Sequence, residues 1–215
     1  MKSHNHIDEL KSMYPVDAYL VDKNTDKIHL PTSSTVYGYV LNGEIHAQPN
    51  ISVGAGQYFS FPVTNSLSHL TPKGDAIVII RVGFIGQTVI GGPIEDTGRL
   101  VYIDGCSDTI LVYPPRKGDP SLSHLHFPKH IDQQFHLHPS VRVGLIVKGE
   151  GICEYMEDGK VVSKPLKTGK MFHIPERETH RFITKDSTLD IIAFHPDGDW
   201  GPEDENHIMK NRTYL

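Results

Sequence analysis

The chain has 215 residues, a net charge of −5 from 21 Lys+Arg and 26 Asp+Glu, and 38% hydrophobic residues. That length holds one large domain or two small ones with a real core, and the hydrophobic content excludes wholesale disorder. No apolar run approaches the roughly 18–20 residues of a membrane span, the N-terminus MKSHNHIDEL lacks a signal-peptide core, and mild acidity gives no basic footprint for nucleic acid. A small molecule is therefore the expected partner. Only Cys106 and Cys153 are present, which argues against a disulfide scaffold and suits a reducing, cytoplasmic setting.

In chain order, a weak helical period covers roughly Ile7 to Met13. Short β-branched and aromatic runs follow at Val36–Leu41, Ala76–Val82, Thr109–Tyr113, Val143–Val147 and Leu189–Phe194, separated by turn signals such as Asn42-Gly43, Pro72-Lys73-Gly74 and Asp158-Gly159. Gly and Pro make up 34 of the 215 residues, above the roughly 12% of average usage, and they fall between these runs. Many short strands with regular turns read as an all-β sandwich or barrel.

The strand pattern repeats. Val36-Tyr37-Gly38-Tyr39-Val40-Leu41-Asn42-Gly43 is followed by Gly56 and Pro62, and Arg142-Val143-Gly144-Leu145-Ile146-Val147-Lys148-Gly149 is followed by Gly169 and Pro175. The offset grows from 106 at the first turn glycine to 113 at the proline, so seven residues are inserted in the second hairpin. Gly86 to Gly98 reads as the linker between residues 1–98 and 99–215.

Nine of the 14 histidines come after residue 120. On a strand, His136 and His138 present both imidazoles to one side, and a third histidine from a neighbouring strand can complete a facial set around a divalent ion. Neutral imidazole suits Zn, Cu, Fe and Ni, with Mn admitted when oxygen ligands join.

The surroundings of this pair resemble the motifs of the cupin superfamily. The first motif, G-x5-H-x-H-x3,4-E-x6-G, is matched by His136-Leu137-His138, then Arg142, then six residues to Gly149; the second, G-x5-P-x-G-x2-H-x3-N, is matched by Gly169, Pro175 and His180. The resemblance implies a bicupin, two tandem double-stranded β-helix (jelly-roll) barrels, with His136, His138 and His180 as metal ligands. Four positions depart from the motifs. Arg142 stands at the glutamate, His130 and Arg177 at glycines, and Thr184 at the asparagine. The same spacing in the first half falls on Leu30, Thr32, Val36 and Leu67, which makes that half a barrel without metal ligands.

An all-imidazole set leaves the ion its full charge, and three-histidine sites in related cupins imply oxygenase chemistry, so Fe(II) is favoured over Mn, Ni or Zn. Arg142 shares parity with the histidine pair and is either a clamp for a substrate carboxylate or a structural arginine paired with Glu150 or Glu154. His173 is either an inward general acid–base or a hydrogen-bonded wall residue. His124 and His126 are either proton relays behind the ligands or half-exposed strand histidines. Parity favours Gln134 over Gln133 as a further donor, and Cys153 reads as a wall residue. His195 reads as a rim residue, and the acidic tail with Trp200 is expected to wrap back over a barrel or a neighbouring subunit. The leading function is a metal-dependent, dioxygenase-type oxidoreductase acting on a small oxygenated or carboxylated molecule, anionic where Arg142 serves as the clamp. A Lewis-acid isomerase, lyase or decarboxylase and a non-catalytic ligand-binding module are the alternatives, and a homodimer is the default assembly.

Overall fold

The computed structural model describes residues 5–47, 50–198, 201–203 and 209. The first half contributes β1 (His6–Glu9), β2 (Val16–Val21), β3 (Ile28–His29), β4 (Ser34–Val40), β5 (Glu44–Ala47), β6 (Ile51–Gly54), β7 (Tyr58–Pro62), β8 (His69–Pro72), β9 (Ala76–Val82) and β10 (Val89–Gly91). The second contributes β11 (Leu100–Val101), β12 (Ser107–Val112), β13 (Ser121–Phe127), β14 (Arg142–Glu157), β15 (Lys160–Lys167), β16 (Met171–Ile174), β17 (His180–Ile183) and β18 (Leu189–His195). The all-β expectation holds.

The first half folds into a six-stranded sheet, β1-β2-β9-β4-β7-β10, and a four-stranded one, β3-β8-β5-β6. In the second, the order is β11-β12-β13-β18-β14-β15, with β16 and β17 also paired to β14. Strand β14 serves two walls. Its first part pairs with β16 and β18, its register shifts between Ile146 and Lys148, and residues from Glu150 onward pair with β15 and β17. Gly149, at φ +75°, makes the corner; a Cβ there would lie 1.8 Å from the Thr188 carbonyl oxygen.

Period-2 alternation divides the apolar residues among three cores. Val36, Phe59, Leu70 and Ile80 fill the first half, while Phe127, Ile146, Phe172 and Ile191 fill the second. The third core lies between the halves, where Val16, Tyr37, Ile77 and Ile79 meet Val143, Leu145, Ile192 and Phe194. The Tyr37 and Phe194 rings stand 4.9 Å apart there.

The repeat has a spatial counterpart. Gly38 on β4 lies under the Phe59 ring and against the Ile77 carbonyl, and Gly144 on β14 lies under the Phe172 ring and against the Ile192 carbonyl. At the positions matching the second half's histidines and Arg142, Leu30, Val36 and Leu67 are buried in the first core and Thr32 is exposed.

Two local expectations are corrected. Residues Ile7 to Met13 are not helical: β1 pairs with β2, burying Ile7 while His6 and Asp8 stay in water, and the chain then turns at Glu9–Ser12 ahead of Pro15. Tertiary pairing outweighs a weak local period here. The stretch Gly86 to Gly98 is not wholly linker either, since β10 extends the six-stranded sheet beside β7. The described part of the tail returns to the 116–119 loop, where Lys117 Nζ lies 2.6 Å from Glu203 Oε1. Trp200 and residues 204–208 lie outside the described residues.

A Cβ at Gly144 would lie 2.0 Å from the Ile192 carbonyl oxygen, and one at Gly38 would lie 2.4 Å from the Ile77 carbonyl oxygen. Gly144→Ala and Gly38→Ala are each expected to cost about 1–3 kcal/mol by overpacking, read as a lower midpoint in urea unfolding, while Lys160→Ala on the exposed hairpin leaves it unchanged.

Candidate metal centre

The segment from Lys129 to Val141 is largely irregular, yet it is fastened residue by residue to β17. His136 and His180 exchange backbone hydrogen bonds of 3.0 and 2.9 Å, Gln133 donates its backbone N–H to the Phe182 carbonyl, and the Phe182 N–H is donated to Gln133 Oε1. Thr184 completes the seam: its hydroxyl donates to the Pro128 carbonyl and accepts from the Ile131 N–H. His136 and His138 therefore reach one side from a bridge and a coil rather than from the regular strand expected.

The three imidazoles of His136, His138 and His180 converge, with ring centroids 4.5–5.1 Å apart and one ligand-type nitrogen from each lying within 4.8 Å of the others. His136 Nδ1 donates to the Gln134 carbonyl at 2.9 Å and His180 Nδ1 to the Glu178 carbonyl at 2.8 Å. Those bonds fix the tautomer and leave each Nε2 lone pair for the site. Burial, then the nearby Arg142 charge and the other two imidazoles, push His138 down to about 3. His180 is held at about 4, chiefly by burial. Neutral, pre-oriented imidazoles are what a divalent ion requires, so the residues fit one.

The three histidines open on a cavity walled by Leu125, Phe127, Phe172, Ile174, Phe182 and Ile191, with Arg142, Gln133, Tyr102 and His195 as its polar lining. Its free space is ≈ 30 Å³, above the roughly 10–15 Å³ that a cavity needs to hold a water. Arg142, 8% exposed, turns Nη1 to the Ser140 hydroxyl (2.7 Å) and to the carbonyls of Ser140 and Val141 (3.1 and 3.0 Å). Among the described residues its ion pair is with Asp197, 3.8 Å from Nη1, rather than with Glu150 or Glu154. Burial, followed by the Arg142 charge and His138, holds His195 well below the usual imidazole range.

Several sequence expectations go elsewhere. His173 faces away from the cavity, on the side of β16 opposite Phe172 and Ile174, with Nε2 2.9 Å from Glu9 Oε1 of β1. His124 and His126 also take the other face: His124 Nε2 and His126 Nδ1 lie 2.9 and 2.8 Å from Asp190 Oδ1, so they are buried rather than half-exposed. Gln134 is exposed and Gln133 lines the cavity, because strand parity does not run through an irregular segment. Cys106 and Cys153 are buried, their thiols pushed up to about 11 and 12 by burial, and Cys153 packs in the second core as a small hydrophobe without lining the cavity.

Sequence reasoning ranked Gln133 below Gln134 and missed Tyr102 and the inward aim of His195. The alternation Ile191-Ala193-His195 on β18 carried the last of these; Tyr102, beside a short 3-10 turn, carried no such signal.

The motif departures have a backbone meaning. His130 and Arg177, which replace glycines, adopt φ +63° and +59°, and the Arg177 N–H is donated to the His138 carbonyl at 2.9 Å. The chain keeps the left-handed conformation and bears its cost in a non-glycine residue.

Comparison with known proteins gives no matching family model and no matching curated protein. Solved structures do match. A cupin 2 conserved barrel domain protein from Leptotrichia buccalis aligns with TM-score 0.57 at 15% identity, over 90% of this chain and 91% of its own. The E. coli protein Ylba aligns at 0.58 and 16%, over 92% and 83%. Oxalate decarboxylase from Bacillus subtilis aligns at 0.56 and 12%, over 91% and 72%. At such identities the likeness is one of fold, and the fold is that of the cupins. The chain is a cupin-fold protein with a three-histidine candidate metal site, and no helix among the described residues is long and apolar enough to cross a membrane.

Two predictions follow from these environments. In the metal-free protein His138 and His180 titrate below their unfolded value near 6.5, so the unfolded chain binds more protons between pH 6.5 and about 4. Stability is full above pH 6.5 and falls as pH drops, by at most about 1.4 kcal/mol per pH unit for each histidine. Asp108, raised by burial to about 6, offsets part of that slope. Denaturant midpoints measured against pH should show a shallower fall in His138→Asn. Arg177→Gly should stabilise the chain by about 0.5–1 kcal/mol with unchanged metal affinity, checked by thermal unfolding and metal titration.

Proposed function

We propose that this chain is a metal-dependent cupin enzyme acting on a small oxygenated or carboxylated molecule, with Fe(II)-dependent, dioxygenase-type chemistry as its reaction class. The observation that carries this reading is the convergence of three imidazoles, beside a buried arginine, in a cavity with apolar walls. His136, His138 and His180 would hold the ion and leave coordination positions open. Bound there, Fe(II) would supply electron transfer to O2. The rings of Phe127, Phe172 and Phe182 give the open side of the site an apolar wall, which suits an apolar gas. Arg142 would hold an anionic group of the substrate, supplying the positive partner that its motif position lacks when occupied by glutamate. We also infer that the halves, 1–98 and 99–215, are two cupin barrels, the first without metal ligands.

A redox-neutral reading has its own support. Tyr102 and His195 lie on the cavity wall, where a proton could be passed to or from a substrate activated by a Lewis acid, and the B. subtilis oxalate decarboxylase that shares this fold is described with Mn(II) centres. The oxidative reading is preferred because the other histidines considered for that proton transfer, His124, His126 and His173, face away from the cavity.

Elemental analysis of tag-free protein is expected to find near-stoichiometric iron, lost in His136→Ala and in His180→Ala, with Leu30→His gaining none. Oxygen-electrode screens of small carboxylates and diketones should then find O2 uptake. Manganese, nickel or zinc at that level, without O2 uptake, would replace this reading with the redox-neutral one. No metal after reconstitution would leave a ligand-binding module.

A further inference from the structure

The buried guanidinium of Arg142 is held from outside the cavity by a short relay. Ser140 Oγ donates its hydrogen bond to Asp197 Oδ1 and accepts one from Arg142 Nη1 at 2.7 Å. A hydroxyl has a single proton, so giving it to the carboxylate aims its lone pairs at the guanidinium. Asp197 itself stays 3.8 Å from Nη1, beyond hydrogen-bonding distance. It contributes negative charge beside a guanidinium that is costly to bury, and it is not itself part of the cavity lining.

Asp197 is placed by both halves of the molecule. It follows β18, two residues beyond the cavity-lining His195, and the carbonyl of the intervening Pro196 accepts the Arg81 Nε–H of β9 at 3.3 Å. Arg81 is steadied in turn by the Tyr14 ring, 5.5 Å from its guanidinium carbon, and by the Val82 carbonyl. The half without a histidine set thus reaches the site through Arg81, Pro196, Asp197 and Ser140.

We propose that Asp197 is a positioning residue for Arg142, acting through the Ser140 hydroxyl, so that the guanidinium is presented to a small carboxylate inside the cavity. The proposal rests on the reading of Arg142 as an anion clamp. A residue serving only the fold would lower stability without selectively changing anion affinity, and its effect would add to that of removing Arg142.

The test uses the full chain loaded with Co(II), whose visible absorption reports changes at the metal, titrated with acetate as the probe anion. Wild type should show an acetate-dependent spectral change. Arg142→Met, Asp197→Asn and Ser140→Ala should each weaken acetate by about tenfold while Co(II) affinity stays within about twofold. Ser140→Thr, which keeps the hydroxyl, should bind acetate like wild type, and Arg142→Met with Asp197→Asn should be no weaker than Arg142→Met alone. Wild-type acetate affinity in Asp197→Asn and Ser140→Ala, a fully additive double variant, or loss of Co(II) binding in Asp197→Asn would overturn the relay and leave the clamp standing. Unchanged acetate affinity in Arg142→Met, or no acetate response in wild type, would remove the clamp reading and the relay with it.

Discussion

Two backbone hydrogen bonds between His136 and His180 govern the site. They join an irregular segment to a strand 44 positions further along the chain, and they bring two of the three imidazoles to 4.5 Å between centroids before any ion is considered. Side-chain aim follows from the same seam, because each Nδ1 is spent on a carbonyl two residues earlier in its own chain. A site built this way needs little reorganisation on binding, since tautomer, rotamer and desolvation are already set by the apo fold.

The surrounding strands supply the walls by strict alternation. On β18, Ile191, Ala193 and His195 look into the cavity while Ile192 and Phe194 look towards the other half. On β14, Arg142 and Ile146 face inward and Val143, Leu145 and Val147 outward. One set of strands therefore makes both the metal pocket and the contact with the first half. The two faces differ in kind: the outward one is apolar where Val143, Leu145, Ile192 and Phe194 meet the first half and polar at His124, His126, Asp190 and His173, whereas the inward one admits an arginine and histidines at one end.

Much of this was legible in the sequence where a backbone rule acts alone. The repeat that contains Gly38 and Gly144 marked two equivalent strands, and the histidine trio could be assigned from motif spacing. The same motif spacing explains why the first half has no counterpart, since Leu30, Val36 and Leu67 are spent on its core. Legibility failed where parity had to be carried across irregular chain, as for Gln133 against Gln134. It failed again where a residue's face was set by a partner remote in sequence. His173 is turned outward towards Glu9 on a strand more than 160 positions earlier, and His124 and His126 are turned to Asp190. Glycine positions were legible as backbone demands even where glycine is missing, as the positive φ of His130 and Arg177 shows.

The apolar core between the halves bears on how the molecule can be handled. Val143, Leu145, Ile192 and Phe194 are each essentially fully buried there. Excised at residue 99, the histidine-bearing half would carry all four bare on one continuous face, the kind of patch that drives aggregation. The first half, which offers no three-histidine set among its described residues, thus covers that apolar face of the second, and because it is tethered, it does so at every dilution.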